Sequence, residues 1–263
     1  MDLLPIVEVT PALLDELPCC GIKNTEHEGS RCKRAWLADQ LQAGLHARIL
    51  MTEEGRQCGY IEYLPGNNAW RAVDTAGYMF IHCIWTFYRK YQHRGNGVRL
   101  VQSCIEDAKK SKMNGVAVIA RKKPWLASSD LFLKCGFQRV DTAPPDYELL
   151  VVKFKKRSPN PHFLPTPAEK LKEYGQGLTI IRADQCAHSV RFAREVSEVA
   201  RREFHLEPRI IVQQSCREAQ NAPTPYAVFS IILDGELLCD HQISKTRFRN
   251  IMNKRQEARS EAL

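Results

Sequence analysis

The segment from Tyr88 to Cys104 combines two glycines with several basic residues and the beginning of a helical pattern. Its loop residues are Gln92, Arg94, Gly95, Asn96 and Gly97. An apolar, β-branched stretch precedes them and apolar positions at helical spacing follow, so a strand, a turn and a helix are predicted in this order. Glycine lets the backbone approach a ligand closely, and the first N–H groups of a helix have no intrahelical acceptor. The segment therefore predicts either a phosphate-binding loop or a plain tight turn.

Two common phosphate loops do not fit these residues. No Lys-Ser or Lys-Thr pair follows Gly97, which excludes a nucleoside-triphosphate loop, and the third glycine of a dinucleotide fingerprint is missing. The remaining pattern, Gln-x-x-Gly-x-Gly, resembles the acetyl-CoA pyrophosphate loop of the GNAT N-acetyltransferases. The pattern is short, so the elements around it must support the resemblance.

Residues 1–154 predict eleven elements in the order β-α-α-β-β-β-α-β-α-β-β. The predicted strands are 6–9, 47–51, 59–64, 78–87, 116–120, 137–140 and 147–154, and the helices are 12–17, 32–45, 98–112 and 128–134. This order resembles the GNAT fold, with the glycine loop between the fourth strand and the third helix. Lys134-Cys135-Gly136-Phe137 also resembles the Lys-x-Gly-Phe sequence of that family.

The second part of the chain has a different composition. Residues 155–176 are proline-rich and basic, which predicts a linker. Residues 177–263 predict the order β-α-β-α-β-β-α, which resembles thioredoxin or glutaredoxin. Cys186 begins a Cys-x-x-Ser sequence at the first strand–helix junction, and Pro225 lies where that fold places its cis-proline. A helix N-terminus stabilises a thiolate, so Cys186 is either an acidic, redox-active thiol or the remnant of a lost redox site.

Together the two parts resemble the YoaP-like acetyltransferases, a GNAT domain followed by a small thioredoxin-like domain. The expected fold class is α/β (α+β), with a mixed GNAT sheet and a second, smaller α/β domain. The resemblance implies transfer of an acetyl group from acetyl-CoA to an unidentified small-molecule or peptide amine. It also implies that the amides of residues 94–97 hold the pyrophosphate with Gln92 beside them. Trp85 and Phe87 would present backbone groups to the pantetheine and the acetyl carbonyl.

The general base is not determined by the motif. In a regular strand, residues 81, 83, 85 and 87 share one face, which makes Cys83 a candidate and directs His82 to the other side. His82 and Glu62 are further candidates, each with an alternative role, as a hydrogen-bonded core residue and as a polar residue of a half-buried strand. Phe132 occupies the position at which many GNAT enzymes carry a tyrosine acid, and phenylalanine cannot donate a proton.

Composition narrows the remaining possibilities. A net charge of +8 favours an anionic partner, although the basic residues near 153–157 and 245–259 also fit a solvated linker and a solvated helix. The sequence contains no apolar run that could span a bilayer and no signal-peptide pattern at its start, so a cytoplasmic protein with reduced cysteines is expected.

Cys19, Cys20, His27 and Cys32 lack zinc spacing, and no metal is expected. A CoA-binding redox adaptor that uses Cys186 and a nucleic-acid binder that uses the basic tail remain as alternatives.

Overall fold

A computed structural model describes residues 3–15, 19–22, 24–122 and 124–261. It contains two main sheets, which agree with the mixed α/β class that the sequence predicts. The strands are β1 (Ile6–Glu8), β2 (His46–Met51), β3 (Gln57–Pro65), β4 (Val73–Asp74), β5 (Met79–Thr86), β6 (Gly115–Ala120), β7 (Gln138–Ala143), β8 (Tyr147–Lys153), β9 (His162–Phe163), β10 (Leu178–Ala183), β11 (Arg209–Gln213), β12 (Phe229–Leu233) and β13 (Glu236–Cys239). The α-helices are α1 (Glu28–Gln42), α2 (Asn96–Lys110), α3 (Ser129–Leu133), α4 (Ala168–Lys172), α5 (His188–Phe204), α6 (Cys216–Gln220) and α7 (Lys245–Glu261). Among the described helices, none is long and apolar enough to cross a membrane.

The first sheet has seven strands in the order β1-β2-β3-β5-β6-β8-β7. β5 and β6 are parallel and every other pair is antiparallel. The amphipathic helix α2 covers one face with Leu100, Val101 and Cys104, because its apolar positions recur at helical spacing. α1 packs on the opposite face through Trp36 and Leu37. The sheet thus has a helical layer on each side.

The second sheet has four strands in the order β11-β10-β12-β13. β10 and β11 are parallel, while β12 runs antiparallel to both β10 and β13. α5 and α7 pack against each other, and the ring of Phe204 meets that of Phe248 edge to face with centroids 6.1 Å apart. The order β-α-β-α-β-β-α that the sequence predicts for this region is therefore confirmed.

Two predicted details of the fold are wrong, and the predicted linker contains short elements. The helix expected at 12–17 is a single 3-10 turn, Pro11–Leu13, and residues 16 and 17 lie outside the described part of the chain. α1 begins at Glu28, four residues before the predicted start, because the His27 side chain accepts the N–H of Gly29 and caps the helix. The predicted linker is partly ordered, since β9 pairs with β4 and α4 follows it.

Candidate active site

The loop before α2 has the geometry of an anion site. Gly95 is the N-cap residue of α2 and has φ +77°, a left-handed conformation that glycine adopts without strain. No described side chain caps this helix, so its first N–H groups remain available to a ligand. Gly97 lies in the first turn of α2 beside α3, and a Cβ atom there would be 3.2 Å from Leu131 Cδ1. Both predicted glycines thus occupy positions at which a side chain would disturb the loop.

The other loop residues hold the backbone in place. Gln92 Nε2 donates to the carbonyl of Thr86 at 3.1 Å, and Asn96 Nδ2 donates to the carbonyl of Tyr91 at 2.9 Å. These bonds connect the end of β5 with the start of α2. Gln92 therefore stabilises the loop with its side chain, and it is the backbone amides of the loop that are left to face an anion.

β5 and β6 separate just before this loop. Their ladder pairs Met79 with Val116 and ends where Ile81 pairs with Val118. β5 nevertheless continues to Thr86, hydrogen-bonded on its other side to β3. Its last five residues, which include Trp85, therefore have an open backbone edge toward β6. An open edge next to a helix N-terminus suits an extended ligand that ends in a phosphate.

The rings of Trp85 and Phe87 pack against each other with centroids 3.5 Å apart. Trp85 also stacks on Tyr60 of β3 at 5.8 Å. A Cβ atom on Gly21 would meet Phe87 Cζ at 2.5 Å, so the segment 19–22 lies directly on this ring. The aromatic residues form one wall that continues from the open strand edge toward the cysteine-rich segment.

A bulge in β5 changes the predicted face assignment. Glu62 pairs with Cys83 whereas Tyr63 pairs with Ile81, so His82 is an extra residue on β5. As a result His82 packs against Trp36 and Phe80 on the same side of the sheet as Cys83 and Trp85. The expectation that residues 81, 83, 85 and 87 share a face, with His82 opposite, is wrong because it assumes a regular strand. The three base candidates instead lie on one side.

Glu62 is completely buried and belongs to a hydrogen-bonded polar cluster, which we define as Lys33, Tyr60, Glu62, Arg71, His82 and Gln185. Lys33 Nζ and the Tyr60 hydroxyl each donate to Glu62 Oε2 at 2.5 Å. Gln185 Nε2 donates to Glu62 Oε1. Burial alone would lower the pKa of Lys33, but the Glu62 carboxylate more than offsets it, and the pKa is raised. The two groups therefore form a buried ion pair.

The other two base candidates are electrically neutral near pH 7. Burial, reinforced by Glu62, raises the pKa of Cys83 to about 12, so it is a thiol. Burial, with Arg71 and Lys33, lowers the pKa of His82 far below its ordinary value. His82 Nε2 accepts the N–H of Trp70 at 2.8 Å, which places the proton of the neutral ring on Nδ1. Its described surroundings offer no acceptor for that Nδ1.

Cys186 lies at the start of α5, as predicted, but its environment differs from the expected one. Burial raises the pKa of Cys186 and outweighs the backbone hydrogen bonds from His188 and Ser189 and the nearby charge of Lys33. The raised pKa of Cys186 counts against the first of the two sequence-based alternatives, an acidic, redox-active thiol. The peptide bond between Thr224 and Pro225 is trans. Among the described residues, the cis peptide bond joins Pro144 to Pro145. Pro225 thus lacks the conformation expected from the resemblance.

Among the described residues, Cys19, Cys20, His27 and Cys32 do not bring three metal-ligating atoms together. His27 caps α1, Cys19 is buried near the carbonyl of Ser30, and Cys32 faces Arg182 and Asp184. Two other groups bring metal-ligating atoms together within the described ranges: Cys239–Asp240–His241, and Glu8 with His46 and Asp107. Phe132 is buried and packs against Phe137, so it forms part of the core.

The most informative residues that sequence reasoning missed are Lys33, Arg71 and Gln185. All three are polar side chains that are almost fully buried, at 1%, 2% and 3% exposure. Arg71 donates to the carbonyls of Trp70 and His82 and to Gln185 Oε1. Nothing in the local sequence marks these residues, since their partners are up to 123 positions away. Through Gln185 they connect Glu62 of the first sheet with the turn that follows β10 of the second sheet.

Comparison with known proteins agrees with this architecture. Residues 10–137 match the acetyltransferase (GNAT) family, and residues 209–250 match a YoaP-like family. The uncharacterized N-acetyltransferase YoaP of Bacillus subtilis is 29% identical over 239 residues, which cover 89% of this chain and 92% of that protein. The chain thus contains a GNAT acetyltransferase domain and a YoaP-like domain, and its enzyme class is that of an acyltransferase.

Solved structures with similar backbones include the yncA protein of Salmonella typhimurium with its cofactor acetyl-CoA. It is 16% identical, with a TM-score of 0.45, over 60% of this chain and 98% of that one. A ribosomal-protein-alanine N-acetyltransferase of Brucella melitensis is 18% identical, with a TM-score of 0.43. The match covers 57% of this chain and 100% of that protein.

Proposed function

We propose that this protein is an N-acetyltransferase that moves the acetyl group of acetyl-CoA to an amine. The observation that carries the proposal is the open edge of β5, which leads directly to the uncapped N-terminus of α2 inside the GNAT-matched region. We assign residues 1–154 to the acetyltransferase domain, 155–176 to a connecting segment and 177–263 to a thioredoxin-like domain. The assignment of residues 177–263 as thioredoxin-like is supported by the order of the seven elements in this region and by the order of the four strands in its sheet.

In this proposal the acetyl-CoA pyrophosphate binds the backbone amides of residues 94–97. The helix N-terminus favours negative charge there, and the side chains of Gln92 and Asn96 keep the loop in shape. The pantetheine lies along the open edge of β5, where the backbone of Trp85 and Phe87 faces it. The acetyl group then reaches the bulge at His82 and Cys83. No metal ion takes part in this arrangement.

Among the three base candidates we assign the role of base to Glu62. It is ion-paired with Lys33, whereas the raised pKa of Cys83 keeps that residue a protonated thiol, and the Nε2 lone pair of His82 already accepts the N–H of Trp70. The Tyr60 hydroxyl connects Glu62 with the aromatic wall. A proton from the acceptor ammonium moves to Tyr60 Oη as the Tyr60 proton moves to Glu62 Oε2.

The neutral amine then attacks the acetyl carbonyl, and the carbon–sulfur bond of the thioester breaks. The product is an N-acetyl amine, and the CoA thiolate leaves. With Phe132 at the position of the usual acid, we propose that solvent reprotonates the thiolate, a weak base that needs little assistance. The second domain has an assisting role, in acceptor binding or in redox control.

Calorimetric titration of the reduced protein with acetyl-CoA tests the cofactor site. We expect one binding site per chain with a heat signal that desulfo-CoA also produces and adenosine does not. A chromatographic screen for acetylated amines would follow with the same protein. An absence of binding at millimolar acetyl-CoA would overturn the proposed function.

A further inference from the structure

We propose that Gln185, from the second domain, positions the Glu62 carboxylate and sets the pH range in which it accepts a proton. The acetyltransferase site is then completed by a side chain that the acetyltransferase domain does not contain. This inference rests on the proposed function, because Glu62 is the base only in that function. It gives the second domain a specific task in the first domain's reaction.

Gln185 lies in the turn after β10 and is 3% exposed. Its amide connects two charged groups of the polar cluster, Glu62 of β3 and Arg71 of the loop before β4. Nε2 donates to Glu62 Oε1, and Oε1 accepts from Arg71 Nη2 at 3.3 Å. Only this orientation of the amide satisfies both neighbours, because a carboxylate cannot donate and a guanidinium cannot accept. Arg71 is itself held against the Tyr226 ring of the second domain at 5.2 Å.

The two oxygens of Glu62 have different partners. Oε2 receives the hydrogen bonds of Lys33 and Tyr60, both of which belong to the first domain. The donor that the structure gives to Oε1 is Gln185. A hydrogen bond to the charged form of a carboxylate stabilises that form, so removing this donor makes Glu62 bind a proton more readily. It also frees the carboxylate to rotate away from the proton path through Tyr60.

Arg71 adds a second connection that depends on Gln185. Its guanidinium is 2% exposed and has oxygen acceptors but no carboxylate within ion-pair distance in the described structure. The amide of Gln185 therefore links a buried positive charge with the buried negative charge of Glu62. Exchanging Gln185 for an apolar side chain of similar shape removes both bonds while leaving the volume nearly unchanged.

Two variants test the proposal. Gln185→Met removes the donor and the acceptor, and Gln185→Glu keeps an acceptor for Arg71 but puts a second carboxylate beside Glu62. We expect the acid limb of the kcat/KM profile to move to higher pH by about one to two units in Gln185→Met, and further in Gln185→Glu. At pH 7 kcat should fall about 10- to 100-fold. The KM for acetyl-CoA should stay unchanged, since the loop before α2 is not altered.

A spectroscopic readout makes the test independent of the acceptor. Carbon-13 NMR of protein labelled at the glutamate carboxyl carbons, with Glu62→Gln for assignment, follows the Glu62 signal against pH in the free protein. We expect Glu62 to take up its proton at higher pH in both variants than in the wild type. Gln213→Met is the matched control, because Gln213 is 5% exposed at the end of β11 and its Oε1 has no partner.

Identical Glu62 titration curves in the wild type and Gln185→Met would overturn the inference. An equal shift in Gln213→Met would also overturn it, because the change would then follow any lost buried amide. A failure of the proposed function gives a different result. In that case the wild type binds no acetyl-CoA by calorimetry, whereas the NMR titration still reports the coupling of Gln185 to Glu62.

Discussion

The loop before α2 and the polar cluster around Glu62 are built in opposite ways. The loop is a local structure in which the sequence from Gln92 to Gly97 supplies backbone amides at an exposed helix start. The polar cluster is buried, uses side chains, and draws them from α1, β3, β5 and the turn after β10. The loop can therefore be disturbed with little effect on the fold, whereas a change in the cluster affects stability and chemistry together.

The largest effect should come from removing the cation of the buried ion pair. Lys33→Met leaves the Glu62 carboxylate buried beside an apolar side chain, which we expect to lower the free energy of unfolding by about 3–5 kcal/mol. Urea denaturation at pH 7 measures this. Arg201→Met is the control, because Arg201 pairs with Glu207 at the surface, where solvent screens the pair, and its loss should change the free energy of unfolding far less. Equal losses of unfolding free energy in the two variants would show that the buried ion pair contributes no more to stability than a surface ion pair, and would contradict the prediction.

A change in the loop should affect binding more than stability. Gly95→Val places a β-branched residue at φ +77° and tilts the amides that face the pyrophosphate. We expect the Kd for acetyl-CoA to rise about 100-fold, which corresponds to the loss of one or two charge-assisted hydrogen bonds. Calorimetry measures the change. Gly175→Val has the same backbone cost at φ +69° with no neighbour within 4 Å, and its Kd should match the wild type.

A second buried network, where the two sheets meet, predicts a pH effect on stability. Asp240 accepts hydrogen bonds from Arg121 and Tyr147 and is paired with His241. Burial opposes the charged ring, but the Asp240 carboxylate prevails and raises the pKa of His241 to about 9. Its contribution is therefore complete below about pH 6.5 and is lost as the pH rises through about 9. We expect a loss of about 1–3 kcal/mol across that range.

Urea denaturation at several pH values, with His241→Gln as the variant, measures this contribution. The variant should lose the alkaline slope that the wild type shows. His162→Gln is the control, since His162 is exposed on β9. If His241→Gln keeps the wild-type slope, another group is responsible for it.

The smallest expected effect concerns Cys186. Because burial raises its pKa, Cys186 should react with iodoacetamide at pH 7 more slowly than a small free thiol such as glutathione. Mass spectrometry of the alkylated peptide gives the rate. Cys186→Ser should retain acetyl-CoA binding. Rapid alkylation or mixed disulfides with glutathione would instead favour the redox adaptor, in which Cys186 is the working thiol.

The contrast between the local loop and the buried cluster also explains which features can be predicted from the sequence. The order of strands and helices follows from apolar periodicity and turn residues, so β5, the glycine loop and α2 appear where they are predicted. The face assignment failed at His82 because a one-residue bulge has no signature in a short apolar strand. The start of α1 was misplaced because histidine is an uncommon cap.

The sequence by itself determined the elements and the anion loop, since both depend on neighbouring residues and on the backbone freedom of glycine. Only the tertiary structure decided the chemistry beside that loop. Lys33 and Gln185 lie 29 and 123 positions from Glu62 along the chain, and their interactions with it matter because folding removes all three from water. Burial then keeps Cys83 and Cys186 as thiols, whereas the Glu62 carboxylate raises the pKa of the buried Lys33 against the effect of burial.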